Sequence, residues 1–237
     1  ALLRSRSVAW LEDPSNRDPR FWRARARASG DLPVAPGDAA ALADEERRFA
    51  RLLASHARPH PAGFVDLAAE ALAGLGPDER RRLLGHLVAA VGGRALVPRG
   101  RSLARLDAWL CDPSSPRVSL GATLVERQGA SLRILRERRG LPAESALQPG
   151  RTLWDGRFRI DWRGAGEAPR LRPAGQGGSG SRILRQWLAD RDMVEAAALP
   201  ALVLAGLPLV SRDGRVLALG PYVDPALRPA LDLIFRP

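Results

Sequence analysis

The stretch VSLGATLVERQGASLRILRE, residues 118–137, is where the sequence changes from helical to strand periodicity. Apolar and polar residues alternate on both sides of the central RQGAS, a pattern typical of a β-hairpin. Two later stretches repeat the pattern around a tight-turn pair, Asp155-Gly156 in TLWDGRFRIDW and Asp213-Gly214 in LPLVSRDGRVLALG. The sequence therefore predicts a β-rich region over residues 113–237.

Upstream of this hairpin the pattern is helical. Residues 39–57 carry apolar side chains at helical spacing beside the charged run DEERR, and Asp38 is expected to cap this helix. A second helix is expected from Pro77 to Gly92 and Gly93, and a third over residues 102–110. The predicted fold class is α+β, with a helical block at residues 31–112 ahead of the β-rich region.

The charge balance points to a phosphate-rich partner. The chain has 37 basic residues, all of them arginine, against 26 acidic ones, which gives a formal charge of +11. Arginine offers a planar fork of donors that suits phosphate, so nucleic acid is the favoured partner. The alternative is the general basicity of an arginine-rich proteome.

Cysteine content and apolar runs bear on the cellular location that the sequence predicts. Cys111 is the single cysteine, so no intramolecular disulfide is available and a cytoplasmic location is expected. The longest apolar run, residues 199–210, is interrupted by prolines and glycine and is shorter than the ~20 residues of a membrane helix. The sequence also lacks the apolar core of a signal peptide near its first residue, so no membrane role is expected.

Familiar catalytic and metal motifs do not fit the chain. His56 and His60 have an i, i+4 spacing, but HARPH lacks the glutamate of a zinc-binding HEXXH helix and carries prolines, so no metal site is expected. We expect His86 to be a partly buried structural histidine. The glycine-rich AGQGGSGSR, residues 174–182, is expected to be a flexible loop rather than a phosphate cradle, because the preceding residues are broken by proline.

The stretch WLEDPSNRDPRFWRARAR, residues 10–27, combines a rigid turn with alternating arginines. Asp13, Pro14 and Asn16 are turn-forming residues, and Asn16 is the only asparagine of the chain. The arginines that follow could reach a phosphate or a carboxylate, or could form a plain solvated basic face.

Four later stretches accompany this one: RRRLLGHLVAAVGG, SLGATLVERQGASLRILRE, TLWDGRFRI and ALPALVLAGLPLVSRDGRVLALG. Together they resemble the bacterial tRNA(Ile)-lysidine synthetases along essentially the whole chain. The resemblance implies that residues 1–30 are the tail of an N-terminal α/β catalytic domain, whose pyrophosphate-binding pattern SGGxDS is absent from this sequence. It also implies that the remainder mainly recognises tRNA, and that no catalytic residue lies in this chain.

In that family, ATP adenylates the C2 oxygen of the wobble cytidine in a CAU anticodon, and the amine of L-lysine then displaces AMP to give lysidine. The partners implied are therefore tRNA(Ile), L-lysine and ATP with magnesium. The cofactor would be bound mainly by the missing N-terminal region, or by a separate catalytic half if the enzyme is split. The family's turn and arginines match five residues that would bind substrate: Asp13, Asn16, Asp18, Arg23 and Arg27.

Two alternatives to a part of this enzyme remain open from the sequence. One is a free-standing RNA-binding module without catalysis, and the other is a decayed fragment. The family's asparagine after the first arginine is Ala24 in this chain, so any role of that side chain is absent.

Overall fold

The structure is a computed structural model that describes residues 18, 20, 25, 36–112, 114–176 and 180–236. The chain divides between Ala50 and Arg51 into two compact units. No helix in the described ranges is long and apolar enough to cross a membrane.

The helices and strands alternate in blocks. The helices are α1 (Pro36–His56), α2 (Pro77–Gly92), α3 (Arg101–Cys111), α4 (Ser181–Ala189), α5 (Val194–Ala197) and α6 (Ala201–Ala205). Early strands are β1 (Ala57–His60), β2 (Phe64–Ala68), β3 (Arg117–Leu120), β4 (Thr123–Gln128), β5 (Ser131–Arg136), β6 (Ser145–Ala146) and β7 (Gly150–Trp154). Later strands are β8 (Phe158–Trp162), β9 (Arg170–Pro173), β10 (Pro208–Arg212), β11 (Arg215–Leu219), β12 (Tyr222–Val223) and β13 (Leu231–Phe235). Short 3-10 turns lie at Ala69–Leu72 and Pro225–Leu227. These elements confirm the α+β class.

The first sheet is antiparallel, in the order β1-β2-β5-β4-β3, and α2 packs on it. Its buried face carries Leu67, Val125 and Ile134, which come from three neighbouring strands. The strands on the two sides of α2 and α3 in sequence therefore share one sheet, across the predicted limit between residues 112 and 113.

Two further antiparallel sheets follow, in the orders β12-β11-β10-β9-β6 and β13-β8-β7. They share a continuous apolar core with α4 and α6, in which leucine predominates and three tryptophans are buried: Trp154, Trp162 and Trp187. Burial of apolar surface at about 25 cal/mol per Å² makes this core the main stabilising term of the C-terminal region.

Local sequence explains the elements that were predicted. Pro77 opens α2, and the Glu79 carboxylate accepts a hydrogen bond from the Gly76 N–H at 3.0 Å. Gly93 ends the helix in the left-handed conformation, with φ of 65°. The predicted hairpin turns form at Asp155-Gly156 and Asp213-Gly214, where positive φ at both residues matches the turn that suits twisted strands.

Several local predictions were wrong. Asp38 lies inside α1, which begins two residues earlier, and His86 is exposed rather than partly buried. The sequence pattern did not predict β1, in which Pro59 is tolerated because the strand lies at the sheet edge. Nor did it predict β9, where Pro173 ends the strand.

A buried ionic cluster links segments that lie apart in the sequence. It is formed by Arg136, Asp155 and Arg157, and we call it the hub. Asp155 accepts from Arg136 at 3.0 Å and from Arg157 at 2.7 Å, and both arginine side chains are almost fully buried. Arg157 also donates to the carbonyls of Gly63 and Gly206. Burial lowers the pKa of Arg157 to about 10, so this guanidinium is still charged at neutral pH.

Candidate nucleic-acid interface

The five residues matched to the family's substrate site lie mostly beyond the described part of the chain. Four are outside it: Asp13, Asn16, Arg23 and Arg27. Asp18 is described, and its carboxylate accepts from the backbone N–H of Arg20 at 2.9 Å and from Nη2 of the same residue at 2.7 Å. These hydrogen bonds lower the pKa of Asp18. The substrate-binding role of all five stays a prediction.

Several arginine side chains bind groups within the fold itself. Nη2 of Arg127 donates to the carbonyls of Trp109 at 2.7 Å and of Asp112 at 3.0 Å, and its guanidinium lies 4.4 Å from the Trp109 ring centroid. The cation thereby satisfies carbonyls at the C-terminal end of α3, where the helix dipole favours positive charge.

Arg133 is committed in a different way. It makes a two-pronged ion pair with Asp66 on the neighbouring strand, with both N–O distances at 2.8 Å, and it stacks over the Phe64 ring. The hydrogen bonds to Asp66 raise the pKa of Arg133. Such planar pairing uses the guanidinium fork that a phosphate would need.

A different environment surrounds three arginines that line a cleft of about 600 Å³: Arg117, Arg138 and Arg139. Arg117 is the first residue of β3, and the other two follow β5. All three are exposed, and none has a side-chain ion pair or hydrogen bond within the described part of the chain. We call this feature the basic cleft.

The buried hub holds the basic cleft in shape. Nη1 of Arg136 donates to the carbonyls of Glu137 at 2.6 Å and Arg139 at 3.0 Å, and Nη2 donates to the carbonyl of Gly140 at 3.0 Å. The backbone that carries Arg138 and Arg139 is therefore wrapped around a fixed cation. Because this backbone is already ordered, binding through the two exposed guanidiniums costs less conformational entropy.

The lining of the basic cleft suits a polyanion with apolar parts. Among the residues that the structure describes, Glu137 is the single carboxylate that lines it, and Leu124, Leu141 and Leu202 contribute apolar surface. Arginine stays protonated at neutral pH and only donates hydrogen bonds, so this group of side chains can bind phosphate but is not suited to proton transfer.

A smaller cleft of about 320 Å³ shares Arg138, Gly175 and Ala205 with the basic cleft and reaches Gly180 and Ser181 at the start of α4. The expectation that proline breaks the segment before the glycine-rich stretch was wrong, because β9 precedes it. Residues 177–179 lie outside the described ranges, so the choice between loop and phosphate cradle stays a prediction.

Two of the three histidines make separate structural contacts. Nδ1 of His60 accepts from the Ala62 N–H at 3.1 Å and its ring stacks on Phe64, while Nδ1 of His56 lies 3.3 Å from the Glu70 carboxylate. Desolvation is the main cause that lowers the pKa of His60. Among the described residues, no group of three or more His, Cys, Asp or Glu side chains could hold a metal ion.

Sequence reasoning missed the basic cleft. The available signal was RERR at residues 136–139, a charge run that overlaps the end of the predicted hairpin. That run does not show that its first arginine is buried while its second and third are exposed, nor that Arg117 joins them from β3.

Sequence similarity relates the chain to known proteins. No family model matches the chain. A curated tRNA(Ile)-lysidine synthase of Rhizobium meliloti is 31% identical over 225 residues, which cover 93% of this chain and 48% of that protein. The protein of the same name from Brucella anthropi is 32% identical over 92% of this chain and 49% of its own length. The chain therefore spans about half the length of the curated relatives it matches.

Proposed function

Because this chain is a relative of the tRNA(Ile)-lysidine synthases along nearly its whole length and corresponds to the C-terminal portion of that enzyme, we propose that it supplies tRNA recognition to a synthase of this kind. The enzyme would ligate L-lysine to C2 of the wobble cytidine of a CAU-anticodon tRNA(Ile), at the expense of ATP. In this proposal the chain itself contributes no catalytic residue.

The observation that carries the proposal is the basic cleft. Its three arginines have no partners among the described residues, whereas Arg127, Arg133 and the hub arginines are used within the fold. Exposed cations that keep their donors free can replace the counterions around RNA phosphates, which supplies most of the affinity of sequence-independent RNA binding.

The division of labour follows from chemistry. Adenylation of the cytidine C2 oxygen requires that the α-phosphate of ATP be attacked and pyrophosphate released, after which the lysine amine displaces AMP. The SGGxDS pattern that binds pyrophosphate in the family is absent from this sequence. We therefore assign ATP and magnesium binding to a region that carries that pattern, and tRNA positioning to this chain.

The experiment compares two double variants of the chain. Arg138→Gln with Arg139→Gln removes two charges from the basic cleft, and Arg228→Gln with Arg236→Gln removes two exposed charges that line neither cleft. Binding of a CAU-anticodon tRNA(Ile) transcript is measured at 0.1 M salt by fluorescence anisotropy. The first variant should bind roughly tenfold more weakly for each phosphate that it no longer neutralises, and the control should bind close to wild type.

Lysine incorporation provides the second readout. Labelled lysine, ATP and the transcript are mixed with the chain and a catalytic domain that carries SGGxDS from the same genome. Incorporation that requires the chain and falls with the cleft variant supports the proposal. Binding without any incorporation would instead favour a free-standing RNA-binding module, and equal binding by the two variants would show that the basic cleft does not hold the RNA.

A further inference from the structure

A second basic surface lies in the loop between α2 and α3, residues 93–100, together with the first residue of α3. Between Glu79 and Asp107 the sequence has seven arginines and no acidic residue. The Asp107 carboxylate is buried and pairs with Arg80 at 2.5 Å and Arg81 at 3.1 Å. No carboxylate within this stretch is therefore left to balance the arginines of the loop.

Three arginines of this surface extend into solvent. Arg94, Arg99 and Arg101 are exposed, and their side chains have no ion pair or hydrogen bond with any residue that the structure describes. Leu96 lies among them with 83% of its surface exposed. An apolar side chain surrounded by free cations suits a partner that presents both anionic and apolar groups.

The loop is fixed to the fold rather than free. Gly85 leaves room for Val97, because a Cβ on that glycine would lie 2.8 Å from Cγ1 of the valine. A Cβ on Gly121 would likewise lie 3.1 Å from Cγ of Pro98. The residues on the C-terminal side of Leu96 are thus packed against α2 and the β3–β4 turn, so exposure of Leu96 is built into the loop.

This surface borders the basic cleft. Gly121, which contacts Pro98, belongs to the turn of the β3–β4 hairpin, and the same hairpin carries Arg117 of the cleft. Nη2 of Arg105 on α3 donates to the carbonyl of Ser119, which also lines the cleft. The loop therefore lies at the turn of the same hairpin whose strands line the basic cleft.

We propose that the loop surface of Arg94, Leu96, Arg99 and Arg101 is a second contact for the RNA phosphodiester backbone, beside the basic cleft. This inference rests on the proposed function, because it extends the surface that the same RNA would cover. The arginines supply the phosphate contacts. Leu96 packs on the sugars, as apolar side chains can do on the wide, shallow minor groove of helical RNA.

The test uses the whole chain with three substitutions, Arg94→Gln, Arg99→Gln and Arg101→Gln, and the same tRNA transcript. The matched control carries Arg163→Gln, Arg228→Gln and Arg236→Gln, exposed arginines that follow β8 or flank β13, so both proteins lose three charges. The loop variant should reduce the slope of log affinity against log salt by about 0.7–0.9 for each phosphate that is no longer neutralised, and the control should not.

Leu96→Gln separates the apolar contact from charge. It should weaken binding roughly threefold to tenfold and leave the salt slope unchanged, because it removes apolar area that the RNA would cover and no cation. The single variant Arg99→Gln repeats the charge test with the smallest perturbation, and urea unfolding shows that each variant is folded.

The outcomes are distinguishable from those of the proposed function. If the loop variant behaves as its control while the cleft variant binds weakly, the loop inference is overturned and the proposed function stands. If neither variant weakens RNA binding, both fail. If the loop arginines govern binding to vesicles of phosphatidylcholine with one-quarter phosphatidylglycerol but leave RNA affinity unchanged, the surface recognises anionic lipid and the inference is again overturned.

Discussion

Arg136 and Arg138 are two residues apart and do opposite things. The first is buried in the hub, where it neutralises Asp155 and donates to backbone carbonyls, and the second is exposed in the basic cleft without a described partner. The chain leaves β5 at Arg136, so the next residues no longer follow the strand and can turn their side chains to solvent. Net charge alone therefore does not separate structural arginines from exposed ones, whereas the partners of each side chain do.

Removing the hub's carboxylate should have the greatest consequence for the fold. Asp155→Asn keeps a residue that tolerates positive φ but leaves two buried guanidiniums without a counter-charge. We expect a loss of about 3–5 kcal/mol in the free energy of unfolding, measured by urea denaturation. Asp213→Asn in the equivalent exposed turn is the control, and it should change stability by less than about 0.5 kcal/mol. Equal effects would mean that the hub is not a special site.

A second prediction concerns the contact between α2 and the hub turn. A Cβ on Gly93 would overlap the carbonyl oxygen of Asp155, and the residue has φ of +65°. Gly214 has φ of +76° with open space around it. Gly214→Ala should cost about 1–2 kcal/mol from backbone strain alone. Gly93→Ala should cost about 1–3 kcal/mol more because the backbone must shift. Thermal unfolding of the two variants would contradict this packing if their midpoints were equal.

In contrast to substitutions at the hub, substitutions in the basic cleft should weaken RNA binding without lowering stability. Arg138→Gln combined with Arg139→Gln should leave the free energy of unfolding within about 0.5 kcal/mol of wild type, since neither side chain has a described partner. The same protein should show the weakened tRNA binding predicted above. A large loss of stability in this variant would show that these arginines support the fold and would remove the distinction between cleft and hub.

A weaker effect is expected from the pH dependence of His60. Its pKa is lowered in the folded protein, mainly by desolvation, so the unfolded chain binds the proton more readily. The contribution of the neutral ring is complete above the unfolded pKa of about 6.5 and is lost as the pH falls through the folded pKa. His60→Asn should flatten the fall in stability between pH 7 and pH 5, whereas the exposed His86→Asn should not.

The sequence was most informative where structure depends on local chemistry. Asp-Gly pairs between alternating residues located two hairpins, and Pro77 and Gly93 located the ends of α2. β1 was missed because its four residues include a proline and because it is the edge strand of the first sheet, where it pairs with β2. A short edge strand of this kind carries almost no periodic signal.

The candidate site was less accessible to sequence reasoning. The basic cleft combines Arg117 with two arginines that follow the next two strands, and the tertiary fold brings them together. The family resemblance pointed instead to the stretch at residues 10–27, where Asp18 is the one matched residue that the structure describes. Charge predicted the kind of partner, but only burial and pairing separated free arginines from structural ones.

The decisive measurement is the salt dependence of tRNA(Ile) binding by the wild-type chain and by the Arg117→Gln, Arg138→Gln, Arg139→Gln variant. We predict a steep negative slope of log affinity against log salt for wild type. For the variant, the slope should be shallower by about 2–3 if each arginine neutralises one phosphate. A wild-type slope near zero, or an identical slope in the variant, would contradict the claim that the free arginines of the basic cleft hold the RNA.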